Sequence, residues 1–167
     1  MQKHTDVSPE QTRFEKIPTR IFQSSASASQ TVAREIADLI RAKTEKGEPC
    51  VLGLATGSTP TSVYGELVRL HREEGLSFRN VITFNLDEYY PMQPGALQSY
   101  VRFMHEYLFD HVDILPENIN IPDGTVPKEQ IARFCAVDNR LLVRTNPEQA
   151  IRWHQGVERV WDSRFPS

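Results

Sequence analysis

Asp87 and Glu88 are adjacent carboxylates that close an apolar run in "NVITFNLDEYY", and two phenols, Tyr89 and Tyr90, follow them directly. A pair of acids at the end of a buried run can take a proton from carbon and return it near neutral pH, one acting as the base and the other orienting it. The pair standing alone is better explained as the opening of a solvated loop. What decides between the two is whether other binding groups reach the same place.

A second stretch, "LATGSTP", sets Thr56, Gly57, Ser58 and Thr59 between an apolar run and the start of a helix. Free backbone N–H groups and the helix dipole favour an anion such as phosphate at such a turn. Gly57 lets the backbone come close to a ligand. Capping of the helix by Ser58 or Thr59 explains the motif equally well. It is neither a Walker loop nor a dinucleotide fingerprint, because no lysine follows and the glycines are not spaced for one. Tyr89, Tyr90 and Tyr100 are candidates to line a cleft through their hydroxyls, packing being a somewhat better account of each. His71, His105, His111 and His154 lack partners at fixed spacing, and Cys50 and Cys135 are the two cysteines. Neither a metal site nor a disulfide framework is expected from that set.

Elements must bring these residues together. Residues 20–23 form a short candidate strand. Serines 24, 25, 27 and 29 lead into a helix with Val32, Ile36, Leu39 and Ile40 as its apolar stripe and Gly47 as its stop. Residues 49–55 are continuously apolar or small, as a central parallel strand covered on both faces requires. A second helix follows, with Pro60 in its first turn, Val63, Leu67 and Leu70 inward and Gly75 at its end. Residues 80–86 supply the next strand. Beyond a Pro- and Gly-containing loop, Tyr100, Phe103, Met104 and Tyr107 or Leu108 recur at helical spacing. Residues 118–122 read as a short strand, Pro127 heads a further helix, and Ala150, Trp153, Val157 and Val160 mark a terminal amphipathic helix. Alternation of strand and helix predicts a doubly wound α/β sheet with helices on both faces. In such a sheet ligands bind beyond the carboxyl ends of the strands, which puts the turn after Ala55 and the acids after Leu86 on one rim.

A length of 167 residues with 39% hydrophobic residues suits one domain with a real core. The net charge of −3 gathers into no basic stripe, so neither nucleic acid nor a membrane surface is an expected partner. The amino terminus lacks the apolar stretch of a signal peptide, and the cysteine usage fits a reducing cytoplasm.

With both loops placed, the chain resembles the glucosamine-6-phosphate deaminase (isomerase) family. "LGLATGSTPTSVYGELVRLH" is similar to the family's sugar-phosphate loop and helix, and "SFRNVITFNLDEYYPM" to the strand that delivers its catalytic acid. "QSYVRFMHEYLFDHVDILPENINIPDG" is similar to the segment that follows, and the resemblance covers roughly residues 20–134. It implies a modified Rossmann-like fold that converts glucosamine 6-phosphate and water into fructose 6-phosphate and ammonia, with no organic cofactor or metal. It further implies that Asp87, with Glu88 beside it, is the catalytic acid and shuttles a proton between C2 and C1. Thr56, Gly57, Ser58 and Thr59 would hold sugar hydroxyls and phosphate, with Tyr100 near the substrate. Related 6-phosphogluconolactonases end the corresponding strand in Asp-Glu-Arg, so "DEYY" favours the deaminase.

From about Ala136 the sequence leaves the family's pattern of a Gly-His pair, an Asn-Glu-Pro and a later lysine, which serve ring opening and phosphate binding. The expected organisation is a flexible arm over residues 1–17, a partial deaminase-like domain over 18–136 and a divergent tail over 137–167. The departure reads as truncation, frameshift or real divergence, and it leaves two alternatives: a non-catalytic sugar-phosphate sensor and a lactonase-like hydrolase. An incomplete sheet would expose apolar surface, which predicts self-association into a homo-oligomer.

Overall fold

The computed structural model describes residues 19–127. The amino-terminal arm, the helix headed by Pro127, the tail over 137–167, Cys135 and His154 lie outside the described residues.

Helix α1 spans Ser25–Glu45 and begins at Ser24, whose hydroxyl accepts from the Ser27 amide at 3.1 Å. That bond satisfies one of the amides a helix start leaves unpaired. Gly47, with φ +65°, turns the chain out of it. The inner face is Ala33, Ala37 and Ile40, all 0% exposed, whereas Val32 and Leu39 remain 39% and 37% exposed. Ile36 and Ile40 of the expected stripe do face the core, whereas Val32 and Leu39 give way to the two alanines, which are small enough to admit a closely packed neighbour. Residues 20–23 form no strand. Arg20 instead pairs with Glu35 of α1 at 2.6 Å and lies over the Phe22 ring, which ties this stretch to the helix.

Strand β1 (Cys50–Leu54) leads into helix α2 (Ser58–Glu74), which ends at Gly75 in the left-handed conformation that glycine adopts without strain. Strand β2 (Val81–Asn85) follows, then a loop, helix α3 (Tyr100–Tyr107), two short 3-10 turns and strand β3 (Ile119–Asn120). The sheet is parallel in the order β1-β2-β3, with Cys50 opposite Val81, Leu54 opposite Asn85 and Phe84 opposite Asn120. The expectation that β1 is central is not met among the described residues, where β2 is its only partner.

Register sorts the sheet into two faces. Cys50, Leu54 and Val81 share one of them and join Ala33, Ala37 and Ile40 of α1, Leu67 and Leu70 of α2 and Met104 of α3 in a single buried cluster. Thr83 and Asn85 also lie on that face, each 1% exposed, and Thr83 Oγ1 and both amide atoms of Asn85 have no hydrogen-bond partner among the described residues. A buried donor or acceptor left unpaired costs about 1 to 3 kcal/mol. Thr83→Val, which removes an orphaned hydroxyl at nearly constant volume, is expected to stabilise the fold by about 1 kcal/mol. The measurement is a rise in the urea midpoint at constant slope, and a fall in the midpoint would count against the hydroxyl's being unpaired.

Candidate functional site

The rim is built first by the turn after β1. The Tyr64 hydroxyl, on α2, donates to the carbonyl of Ala55 and so fastens the strand end to the helix. Burial pushes that phenol up to about 12, with the Ala55 bond acting in the opposite direction. Gly57 occupies the N-cap position of α2 with φ +110°, a backbone that side chains avoid. A Cβ there would meet nothing within 4 Å, so the glycine is required by the dihedral angle and not by crowding. Among the described residues no side chain caps α2. Ser58 and Thr59 lie exposed in its first turn, and the Ser58 carbonyl is taken by the Thr61 hydroxyl at 2.6 Å. Capping by Ser58 or Thr59 is thus not what this turn does, and its helix start remains available to an anion.

The turn after β2 separates the two acids. Asp87 is exposed at the strand end, while Glu88 is 9% exposed. The Glu88 carboxylate accepts from the amide of Tyr89 at 2.8 Å, from Ser99 Oγ at 2.9 Å, from the amide of Tyr100 at 2.9 Å and from that of Val101 at 3.1 Å. The last three donors belong to the start of α3, where the helix dipole also favours negative charge. Neighbouring acids are tolerated because one is solvated and the other is received by a helix. Of the two residues expected to carry catalysis, only Asp87 is open to a ligand; the oxygens of Glu88 are engaged in holding α3.

Tyr100, the first residue of α3, connects the two loops. Its phenol lies close enough to the hydroxyls of Tyr89 and Thr56 for both to act on its titration, and its ring lies 4.9 Å from that of Tyr89, centroid to centroid. The neighbouring Tyr89 hydroxyl is the chief reason the Tyr100 phenol is held above its ordinary value; burial and the nearby charge of Asp87 add to it, and the Thr56 hydroxyl opposes it. Thr56, Asp87, Tyr89 and Tyr100 therefore meet on one rim. His71 is bonded to the carbonyl of Leu76 and His105 to Asp110, away from that rim. Among the described residues, no group of three histidines, cysteines or acids could hold a metal ion.

Two residues escape a reading by motif. Ser99 carries the ordinary sign of an N-cap, a serine ahead of an apolar-periodic run, but its partnership with an acid eleven residues earlier has no local signature. Gly124 packs against the loop that carries Tyr89, and nothing near it in sequence announces the contact.

A parallel sheet that delivers an uncapped helix start and an open carboxylate from successive strand ends defines an α/β protein whose candidate site lies at the carboxyl rim, where such sheets commonly bind ligands. The chain belongs to the glucosamine-6-phosphate isomerases/6-phosphogluconolactonase family, whose sequence profile matches residues 23–152. It is 51% identical over 124 residues to a glucosamine-6-phosphate deaminase-like protein of Bacteroides thetaiotaomicron, covering 74% of this chain and 19% of that protein. It is 54% identical over 104 residues to glucosamine-6-phosphate deaminase 2 of Giardia intestinalis, covering 62% of this chain and 38% of the relative. Among solved structures, a monomeric glucosamine-6-phosphate deaminase superposes with a TM-score of 0.61 at 38% identity, over 70% of this chain and 47% of that one. The chain spans less than half the length of each of these relatives.

Proposed function

We propose that this chain is the substrate-gripping part of a glucosamine-6-phosphate deaminase, acting on an amino sugar phosphate in the cytoplasm without a cofactor. The observation that carries the reading is the meeting of Asp87 with Thr56 and Tyr100 on one rim, beside the uncapped start of α2. In this reading the amides after Gly57 hold the phosphate, Thr56 and Tyr100 hold sugar hydroxyls, and Asp87 moves the proton between C2 and C1. Glu88 fixes the helix that carries Tyr100. By the family resemblance, the groups for ring opening would lie in deaminase sequence that this chain does not match. A lactonase reading is disfavoured by Tyr89, which stands where the lactonase pattern has arginine. A sugar-phosphate sensor would use the same grip without turnover.

Gly57→Val is the test of the grip. A branched side chain at φ +110° is strained and turns the amides that would receive phosphate. Loss of one such charged hydrogen bond, at about 1.5 to 3 kcal/mol, corresponds to about 10- to 100-fold weaker binding of fructose 6-phosphate by titration calorimetry. Equal affinity in a folded Gly57→Val protein would remove the phosphate role from this turn.

A further inference from the structure

Gly124 is buried in a short turn that its neighbours make rigid. The amide and hydroxyl of Thr125 both donate to Asp123 Oδ1, at 2.8 and 2.6 Å. Pro122 and Val126 on either side are buried, so the turn has nowhere to retreat. Across from it runs the backbone that leaves Glu88. The Met92 amide donates to the Gly124 carbonyl at 2.8 Å. A Cβ on Gly124 would lie 2.7 Å from the Tyr89 carbonyl oxygen and 2.8 Å from both Cβ and the carbonyl oxygen of Met92. These are inside contact distance, and two of the three are main-chain oxygens that cannot swing aside as a long side chain can.

Tyr89 is thus seated from behind by Gly124. Tyr89 is 53% exposed, and its ring packs on that of Tyr100. We propose that Gly124 is a positioning residue for the candidate site: by lacking a side chain it lets the 121–126 segment fix the backbone of Tyr89 and Met92, and thereby holds Tyr89 against Tyr100 on the rim. The path from Gly124 to the ligand runs through Tyr89 and Tyr100 to Thr56. The ligand named here, a sugar phosphate, rests on the function proposed above; the positioning itself does not.

The two are separated by reading the tyrosines directly. In the full chain with ring-labelled tyrosine, NMR titration follows each phenol. Gly124→Ala is expected to bring Tyr100 down towards the ordinary tyrosine range, because the Tyr89 phenol packed against it is the chief cause of its elevation. Tyr64, buried in the core, should stay near about 12 and reports that the fold is intact. Tyr89→Phe, with Gly124 kept, should lower Tyr100 in the same way. An unmoved Tyr100 in Gly124→Ala, with Tyr64 also unmoved, overturns the proposal. If Gly124→Ala does not fold, hydrogen exchange in the unaltered chain decides: a Met92 amide as protected as those of β2 supports the seat, and one that exchanges as fast as the Leu97 amide overturns it. Fructose 6-phosphate is then titrated into both proteins. Binding about tenfold weaker in Gly124→Ala is expected, and equal binding despite a fallen Tyr100 overturns the link to the ligand. No binding by the unaltered chain sinks the sugar-phosphate reading and leaves the seat decided by the tyrosines.

Discussion

Asp87→Asn is expected to slow solvent exchange of the C2 proton of glucosamine 6-phosphate by about 10²- to 10⁴-fold, the usual cost of removing a positioned acid–base group. Asparagine keeps the size and hydrogen-bonding reach of the side chain but cannot accept the proton. Binding of fructose 6-phosphate should change little, because Asp87 is not among the groups proposed to hold the phosphate. The measurement suits a chimera that joins residues 19–127 of this chain to the remaining part of a deaminase relative, so that ring opening is supplied. Deuterium incorporation from solvent is followed by NMR. The geometry makes this a sharp test, since Glu88 cannot take over: its oxygens are occupied by four residues at the start of α3 and the turn before it. Exchange at the unaltered rate would return Asp87 to the role of an exposed loop residue.

What could be read from sequence was what local patterns encode. Gly47 and Gly75 end their helices with positive φ, Ser24 begins one, and the apolar runs before Ala55 and Leu86 become adjacent parallel strands. Because the rule of the carboxyl rim follows from topology, the approach of the Thr56 turn to Asp87 was also legible, whereas Tyr100 was expected there only through the family resemblance. Misplaced features depended on what packs against what. Residues 20–23 have a strand's composition but pair with a helix through Arg20 and Glu35. The inner face of α1 is set by Ala33 and Ala37, because close approach rewards small residues that a search for large apolar side chains passes over. The division of labour between Asp87 and Glu88 was hidden for a related reason. It is decided by Ser99 and the free amides of α3, which the chain reaches only after a loop whose path no motif specifies.

Glu88→Ala carries the largest expected loss of stability. Truncation leaves the amides of Tyr89 and Tyr100 and the Ser99 hydroxyl without their acceptor, while the Val101 amide keeps only Ser99 Oγ, at 3.1 Å. Each such group costs about 1 to 3 kcal/mol if it stays dry. Water entering the vacated space recovers part of that, so a net loss of about 3 kcal/mol or more is expected by urea unfolding, a large fraction of the roughly 5 to 15 kcal/mol that holds a domain together. Glu88→Gln should fall between, because one of its two acceptor oxygens becomes an amide nitrogen that faces donors. The loss should also be local before it is global: hydrogen exchange of the Tyr100 and Val101 amides should accelerate under conditions in which the β2 amides remain protected. With the start of α3 loosened, Tyr100 loses its fixed relation to Thr56, so sugar-phosphate binding should weaken even at temperatures where the variant is folded. Asp87→Asn, by contrast, should leave stability within about 0.5 kcal/mol, as exposed substitutions commonly do. A Glu88→Ala protein as stable as the unaltered chain, with Tyr100 and Val101 amides equally protected, would mean that α3 finds its cap elsewhere, and Glu88 would then be free to act beside Asp87 as a second acid.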